Sequence, residues 1–366
     1  MFSLPGQEQL KSDILDQGLC SSCGMCMGLC PYIKSFRDKV TAIYPCRVEQ
    51  GTCFKVCPKV GIDVREMDQK TFGEERKDQA LGVLKGIYFA QTRGEKDFQA
   101  QYGGVTSTLI ALALEEEVIP GAVLTGGDIL NPRPVLAKTV QDVKNCAGSK
   151  YGAVPTLEVL NRTMQDGMSG VGIVGRPCQI TAVRRAQLAS GPESRFPDPG
   201  FVNLVVGIFC FWALGPEFYH FLHRKIKNER ILRMDIPVEG PLIETEERKY
   251  RFSLEEFRPF IRKSCEVCFD STAEWADISV GATEYDPQWN TLIVRSEKGQ
   301  KILEKALEQE IIELAAYPEE RLPLLRKAVL NKKMRILALP ELEIECPGYP
   351  RISGKYREEI LNQWED

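Results

Sequence analysis

Cys20, Cys23, Cys26 and Cys30 follow one another at gaps of two, two and three residues and are closed by Pro31. No other feature constrains this chain as much. Thiols at that spacing wrap a tight loop around one face of an iron–sulfur cube, and the fourth leaves the loop for a second cluster. A second Cys-x-x-x-Cys-Pro follows at Cys53, Cys57 and Pro58, with Cys46 just before it. In a two-cluster ferredoxin the last cysteine of each run crosses to the other cluster. That rule assigns Cys20, Cys23, Cys26 and Cys57 to a first [4Fe–4S] cluster and leaves Cys30, Cys46 and Cys53 for a second. The second run departs from the ladder, because Gln50 stands where a further cysteine belongs. Three options stay open there: a [3Fe–4S] cluster, a [4Fe–4S] cluster completed by Cys346 or a non-cysteine group, or bystander thiols beside a single cluster. A chain with these runs moves single electrons.

The thirteen cysteines argue for metal, not disulfides. Their number is odd, they are grouped at short gaps, and the polar start Met1–Gln17 is not a secretory signal. The only histidines, His220 and His223, lie in the aromatic helical stretch Phe218–His223 and read as structural. Histidine acid–base chemistry and a Cys/His zinc site are therefore poorly supplied. A net charge of -4 gives no basic surface for nucleic acid. No apolar run reaches the roughly 18–20 residues that span a bilayer; the longest, Phe201 to Gly215, reads as a buried strand. With 366 residues, 43% of them hydrophobic, the chain has material for two or three domains.

The expected organisation is an arm or short helix over residues 1–19 and an iron–sulfur unit with a charged linker over 20–80. An α/β domain over 81–320 and a C-terminal extension over 321–366 follow. Strands are predicted at Ile87–Ala90, Ala122–Thr125, Pro134–Ala137, Val171–Val174, Phe201–Phe211 and Asn290–Val294. Helices are predicted at Thr106–Glu117, Gln179–Leu188, Glu217–Lys227 and Gln300–Ala316, with a hairpin over 236–255. The tail from Leu322 is basic at first and proline-punctuated later. The fold class is thus an N-terminal two-cluster ferredoxin-like domain (α+β) followed by an α/β domain with a mixed sheet.

A second cysteine group lies in the α/β part. Cys265 and Cys268 form a Cys-x-x-Cys pair, and Cys178 and Cys210 fall at the ends of predicted strands, where ligands of α/β sheets collect. Alone, the pair is compatible with zinc, a redox dithiol or iron–sulfur. Gly103-Gly104 opens a helix with Val105 and Thr106, a turn able to cradle a phosphate. Ser149-Lys150-Tyr151 is a small-residue loop carrying a cation. Cys146 and Cys346 read as core or loop thiols.

Taken in this order, the pieces resemble the beta subunits of coenzyme F420-reducing hydrogenases and F420-dependent dehydrogenases. The likeness covers residues 20–300. It rests on Gly103-Gly104-Val105-Thr106, Gly148-Ser149-Lys150-Tyr151, Gly175-Arg176-Pro177-Cys178, Phe209-Cys210, Cys265-x-x-Cys268-x-Asp270 and Ala273–Gly281. The family often has serine or threonine where Tyr102 and Arg176 stand here. The resemblance implies a flavin-binding α/β domain with FAD, a [4Fe–4S] cluster on Cys178, Cys210, Cys265 and Cys268, and coenzyme F420 as the small-molecule hydride carrier. With the N-terminal runs that makes about three clusters. It implies flavin contacts from Gly103, Gly104, Val105, Thr106, Ser149, Lys150, Tyr151, Arg176 and Pro177. The expected function exchanges hydride between reduced F420 and FAD. Single electrons then pass to a heterodisulfide-reductase-, hydrogenase- or formate-dehydrogenase-like partner in an anaerobic cytoplasm. The open alternatives are NAD(P)H or another small molecule as substrate, and an adaptor without flavin.

Overall fold

The computed structural model describes residues 6–36, 39–227, 229–237, 239–283, 285–337 and 354–365. Cys346 lies outside them. The N-terminal unit carries a helix at Gln7–Leu10 that widens into a π-helical turn at Lys11–Leu15, and a hairpin of β1 (Ile33–Phe36) and β2 (Lys39–Ala42). Leu10 and Ile14 are buried with Leu19, Met27, Ile33, Val40, Cys53 and Val267. The segment Gln7–Leu15 is therefore helical and packed into this unit.

The main body is an eight-stranded mixed sheet. Its strands are β3 (Gly86–Thr92), β4 (Ala122–Gly126), β5 (Arg133–Ala137), β6 (Val171–Gly175), β7 (Val202–Ile208), β11 (Ile278–Ala282), β12 (Asn290–Val294) and β13 (Ile312–Ala316). Their order is β13-β3-β12-β11-β7-β6-β4-β5. β4, β6, β7 and β11 are parallel neighbours, and β3 runs the same way because it is antiparallel to β12, itself antiparallel to β11. Five strands thus present their C-terminal ends on one edge.

Continuous apolar runs form these strands because both faces are covered. Along β7, Val205 faces one core with Val171 and Ile173, while Leu204 and Val206 face the other with Val280 and Leu292. The helix Pro177–Leu188 covers the first face; Val105–Glu115 and Glu297–Glu308 cover the second. A smaller antiparallel sheet joins β8 (Ile231–Asp235), β9 (Leu242–Thr245) and β10 (Lys249–Arg251) over Phe218, Leu222 and Phe257.

Three readings of the sequence change. The helix expected over Gln300–Ala316 ends at Glu308, and Ile312–Ala316 is edge strand β13. The break is Glu310, at φ 54°. The stretch read as a linker folds as the helix Val64–Phe72, capped by Asp63 and stopped by Gly73 at φ 78°. The basic tail is the helix Leu322–Leu337, with Lys332 and Lys333 on its buried side. One buried charge knot explains both of the last two. Arg76 binds Asp68 through Nε at 2.6 Å and also Glu274; Lys333 binds Glu274 at 2.8 Å. Trp275 Nε1 donates to Asp68 at 2.9 Å and Arg76 Nη1 to Tyr356 at 3.0 Å.

Candidate functional site

All twelve described thiols are free of disulfides, and all but Cys146 fall into three electrostatic groups. Cys23 is coupled to Cys57 and Cys20, and Cys26 to Cys23, Cys20 and Cys57. Cys53 is coupled to Cys30 and Cys46. Cys178 is coupled to Cys268 and Cys265, and Cys210 to Cys265 and Cys178. Burial pushes Cys20, Cys23, Cys26 and Cys178 up, and Cys57 and Cys210 to about 12 and Cys53 to about 11. Among the described residues no three His, Cys, Asp or Glu side chains converge on one ion position. A cluster asks for a cage in which each iron takes its own thiolate. The chemistry of the donors, eleven thiols in three groups, fits such clusters.

The first cysteine run is seated on the helix Leu157–Gln165. Leu157 N–H donates to Cys23 O at 3.0 Å, Asn161 Nδ2 to Met25 O and Met27 O at 2.8 and 2.6 Å, and Gln165 Nε2 to Gly28 O at 2.7 Å. Gly24, at φ 91°, leaves no room for a side chain: a Cβ there falls 2.4 Å from Pro155 O. Gly24→Ala is expected to cost on the order of 1–3 kcal/mol of backbone strain. It should also lower iron retention after gel filtration; full iron and unchanged unfolding would contradict the seating.

The third group sits at the strand-end edge. Cys178 follows Pro177 at the first turn of Pro177–Leu188, directly after β6, and Cys210 follows β7. Asp270 caps the chain behind Cys268, accepting Thr272 and Glu274 N–H at 2.9 Å each. A void of about 20 Å³ opens between Cys178 and Cys268, lined also by Lys59 and Asp270. Groups one and three are electrostatically linked, since Cys178 acts on both Cys20 and Cys23. Groups one and two are linked in the same way through Cys26 and Cys53.

Buried cations fill the layer between groups one and three. Arg176 lies within electrostatic reach of Cys178, Cys210, Cys265 and Cys23, and is only 8% exposed. Lys59 acts on Cys57 and Cys178 and donates to Ser264 O at 2.7 Å. Arg262 donates to Cys20 O at 2.9 Å and acts on Cys20 and Cys265. Sequence reasoning singled out Arg176 alone. Lys59 had a signal, a cation directly after Cys57-Pro58; Arg262 three residues before Cys265 had a weaker one.

A cleft of about 340 Å³ opens at the same edge, between the segments 127–131, 147–150, Gln99–Gln101 and 229–234. That volume is at the lower end for a small-molecule site. Gly148, Ser149 and Lys150 line it. Lys150 Nζ donates to the carbonyls of Cys146, Ala147 and Gly148 at 2.6, 2.7 and 3.1 Å, and burial lowers its pKa to about 8. Tyr102 and Tyr151 both donate to Asp235, at 2.9 and 3.4 Å, clamping β8 across the cleft floor. Arg233 Nε and Tyr219 Oη are buried with no hydrogen-bond partner among the described residues. Arg233 is held by Asp235 and Gln101 O through Nη2 at 3.1 and 2.9 Å, and its unpartnered Nε beside a lysine loop fits an anionic ligand portion.

Gly103 and Gly104 lie elsewhere. A Cβ on Gly103 falls 2.7 Å from Ala90 O, and one on Gly104 falls 3.1 Å from Thr92 Oγ1. The two glycines let the turn before Val105 and Thr106 press onto β3, and Val105 N–H is taken by Asn290 Oδ1 at 3.4 Å. The cleft segments 127–131 and 229–234 went unread as site residues, because a turn after β4 and an ordinary strand, β8, carry no ligand-spacing signal.

Two family models match. The one described as coenzyme F420 hydrogenase/dehydrogenase, beta subunit N-term, covers residues 87–161, and the one for its C terminus covers residues 168–320. The coenzyme F420 hydrogenase subunit beta of Methanothermobacter thermautotrophicus is 31% identical, covering 73% of this chain and 99% of the relative. The coenzyme F420-dependent sulfite reductase of Methanocaldococcus jannaschii is 29% identical over 80% of this chain; the chain spans 46% of that relative. One component of the F(420)H(2) dehydrogenase of Methanosarcina mazei is 24% identical, covering 88% of this chain and 91% of the relative. A chain of the F420-reducing [NiFe] hydrogenase complex from Methanosarcina barkeri superposes with a TM-score of 0.66 at 29% identity, over 71% of this chain and 92% of that one.

Proposed function

The chain belongs to the family of coenzyme F420 hydrogenase/dehydrogenase beta subunits, and on that premise we propose an F420-dependent flavin iron–sulfur oxidoreductase subunit. It exchanges hydride between reduced F420 and FAD and passes single electrons through [4Fe–4S] clusters to a partner redox subunit. Flavin and clusters, when bound, supply the exchange between two-electron and one-electron transfer. The observation that carries the reading is the electrostatic linkage of the thiol groups: Cys178 of the third acts on Cys23 of the first, and Cys53 of the second acts on Cys26 of the first.

The chain's own residues have distinct tasks. Lys150 and Arg233 offer positive charge to the anionic part of a ligand in the cleft. Tyr102 and Tyr151 hold β8 in place through Asp235. Arg176, Lys59 and Arg262 keep the layer between groups one and three charged and closed to water. Beside the second group, Tyr32, Phe36, Ile43, Tyr44 and Val48 are all exposed. Apolar side chains gathered on one short hairpin region mark an interaction surface, and this one favours electron exit to a partner there. Among the described residues no helix is long and apolar enough to cross a membrane.

The test is an anaerobic absorption spectrum with iron and flavin counts, repeated after adding reduced F420. About twelve irons per chain, one FAD and bleaching on addition are expected. Flavin that ignores F420 but bleaches with NADH or NADPH would replace the substrate. Iron without flavin would defeat the enzyme reading.

A further inference from the structure

The helix Leu322–Leu337 lies beyond residue 320, where the family models end. Its buried side carries two consecutive lysines, Lys332 at 2% and Lys333 at 0% exposure. A buried ammonium is costly unless an opposite charge answers it. For Lys333 the answer is Glu274, at 2.8 Å. Lys332 has no carboxylate within ion-pair distance among the described residues. Its Nζ donates to two backbone carbonyls, Cys210 O and Asp270 O, both at 2.7 Å. The groups that act on it most are the thiols of Cys268, Cys210 and Cys265, ahead of the Asp270 carboxyl. Asp270 is itself occupied, its two oxygens accepting Thr272 and Glu274 N–H.

The two carbonyls fix the ammonium against the backbone of one cysteine of the third group and of the residue two past another. As neutral thiols these cysteines give Lys332 nothing to balance. A four-iron cluster on four thiolates does, because it carries net negative charge that grows by one on reduction. Net charge and hydrogen bonds near the sulfurs set cluster potentials. We propose that Lys332 is the fixed counter-cation of the cluster held by Cys178, Cys210, Cys265 and Cys268, and that its charge raises that cluster's reduction potential. The inference rests on the cluster reading above and adds to it a tuning residue delivered from outside the family-model region. A cation there favours the reduced cluster and makes the third group a better acceptor of electrons from the cleft.

The experiment uses the anaerobically purified full chain as wild type, Lys332→Gln and Lys332→Arg. Each is counted for iron and titrated potentiometrically with electron paramagnetic resonance detection. Lys332→Gln keeps an N–H donor without charge; Lys332→Arg keeps the charge. In Lys332→Gln the equilibrium for reducing one cluster should fall about tenfold, or about 59 mV for one electron, with the other midpoints unmoved. Lys332→Arg should stay close to wild type. Loss of about four irons in Lys332→Gln but not in Lys332→Arg also supports the counter-cation role. Full iron with an unchanged midpoint in Lys332→Gln overturns it, and so does equal loss of iron in both variants, which is a packing effect. A wild-type chain with only about eight irons and no third cluster defeats the cluster reading first and this inference with it.

Discussion

A Cys178→Ser chain should lose about four irons, keep its flavin, and deliver no electrons to an acceptor beyond the flavin. Cys178 is the residue of the third thiol group that acts electrostatically on the first. It acts on Cys20 and Cys23 on one side and is coupled to Cys268 and Cys265 on the other. Its place is rigid, at the first turn of Pro177–Leu188, where the Pro177 ring fits the helix start and Gln179 Oε1 accepts Arg176 N–H at 2.9 Å. The outcome differs from Cys53→Ser, which removes a member of the second group, beside Cys30 and Cys46. That variant should still reduce the third and first groups and fail only at the exit. Cys146→Ser, in the loop beside Lys150 and apart from the three groups, should keep full iron. The measurement is iron content together with stopped-flow bleaching of the flavin and reduction of an external one-electron acceptor. Full iron and wild-type acceptor reduction in Cys178→Ser would show that the third group holds no cluster on the path.

How much of this was legible depended on whether the signal was local. The two N-terminal cysteine runs were, since ligand spacing within one loop is a property of the sequence itself. The strands β3, β4, β6, β7 and β12 were, because each is a compact apolar run. β13 was hidden because Ile302, Leu303 and Ala306 begin a helical period that Ile311 and Ile312 continue to the eye; only the backbone at Glu310 breaks it. β11 was obscured by its polar interior. Ser279 is fully buried and accepts from Arg295 Nε at 2.8 Å, and Arg295 also reaches the carbonyls of Leu81 and Val83. The cations of the site were hidden for a related reason. Lysine and arginine read as surface unless something far along the chain buries them. Lys332 and Cys210 are separated by 122 positions, and nothing in either neighbourhood announces the other.

The buried knot yields the largest expected effect on stability. Glu274→Gln should lower unfolding free energy by about 3–5 kcal/mol, the range for removing one member of a buried charge pair. Glu274 is fully buried and answers two cations, Arg76 and Lys333. Without it Arg76 still has Asp68, through Nε at 2.6 Å and Nη2 at 2.8 Å. Among the described residues Lys333 keeps no carboxylate, but it keeps Gln79 O at 2.5 Å, Tyr356 Oη at 3.1 Å and the Phe269 and Tyr356 rings. The penalty therefore falls mainly on Lys333. Adding Lys333→Met to Glu274→Gln should restore part of the loss, giving a double variant less destabilised than the sum of the singles. The pH dependence has a definite sign. Burial alone would push the Glu274 carboxyl up, but Lys333 and Arg76 outweigh it and hold it below the usual range. Its contribution is then present at neutral pH and is lost as pH falls below about 4.3 toward its depressed folded value. Wild type should lose stability across that window faster than Glu274→Gln. Anaerobic urea unfolding followed by tryptophan fluorescence checks both points. A Glu274→Gln chain within about 1 kcal/mol of wild type, far under the expected penalty, would mean the knot is not what ties 64–76, 273–275 and the C-terminal helices together.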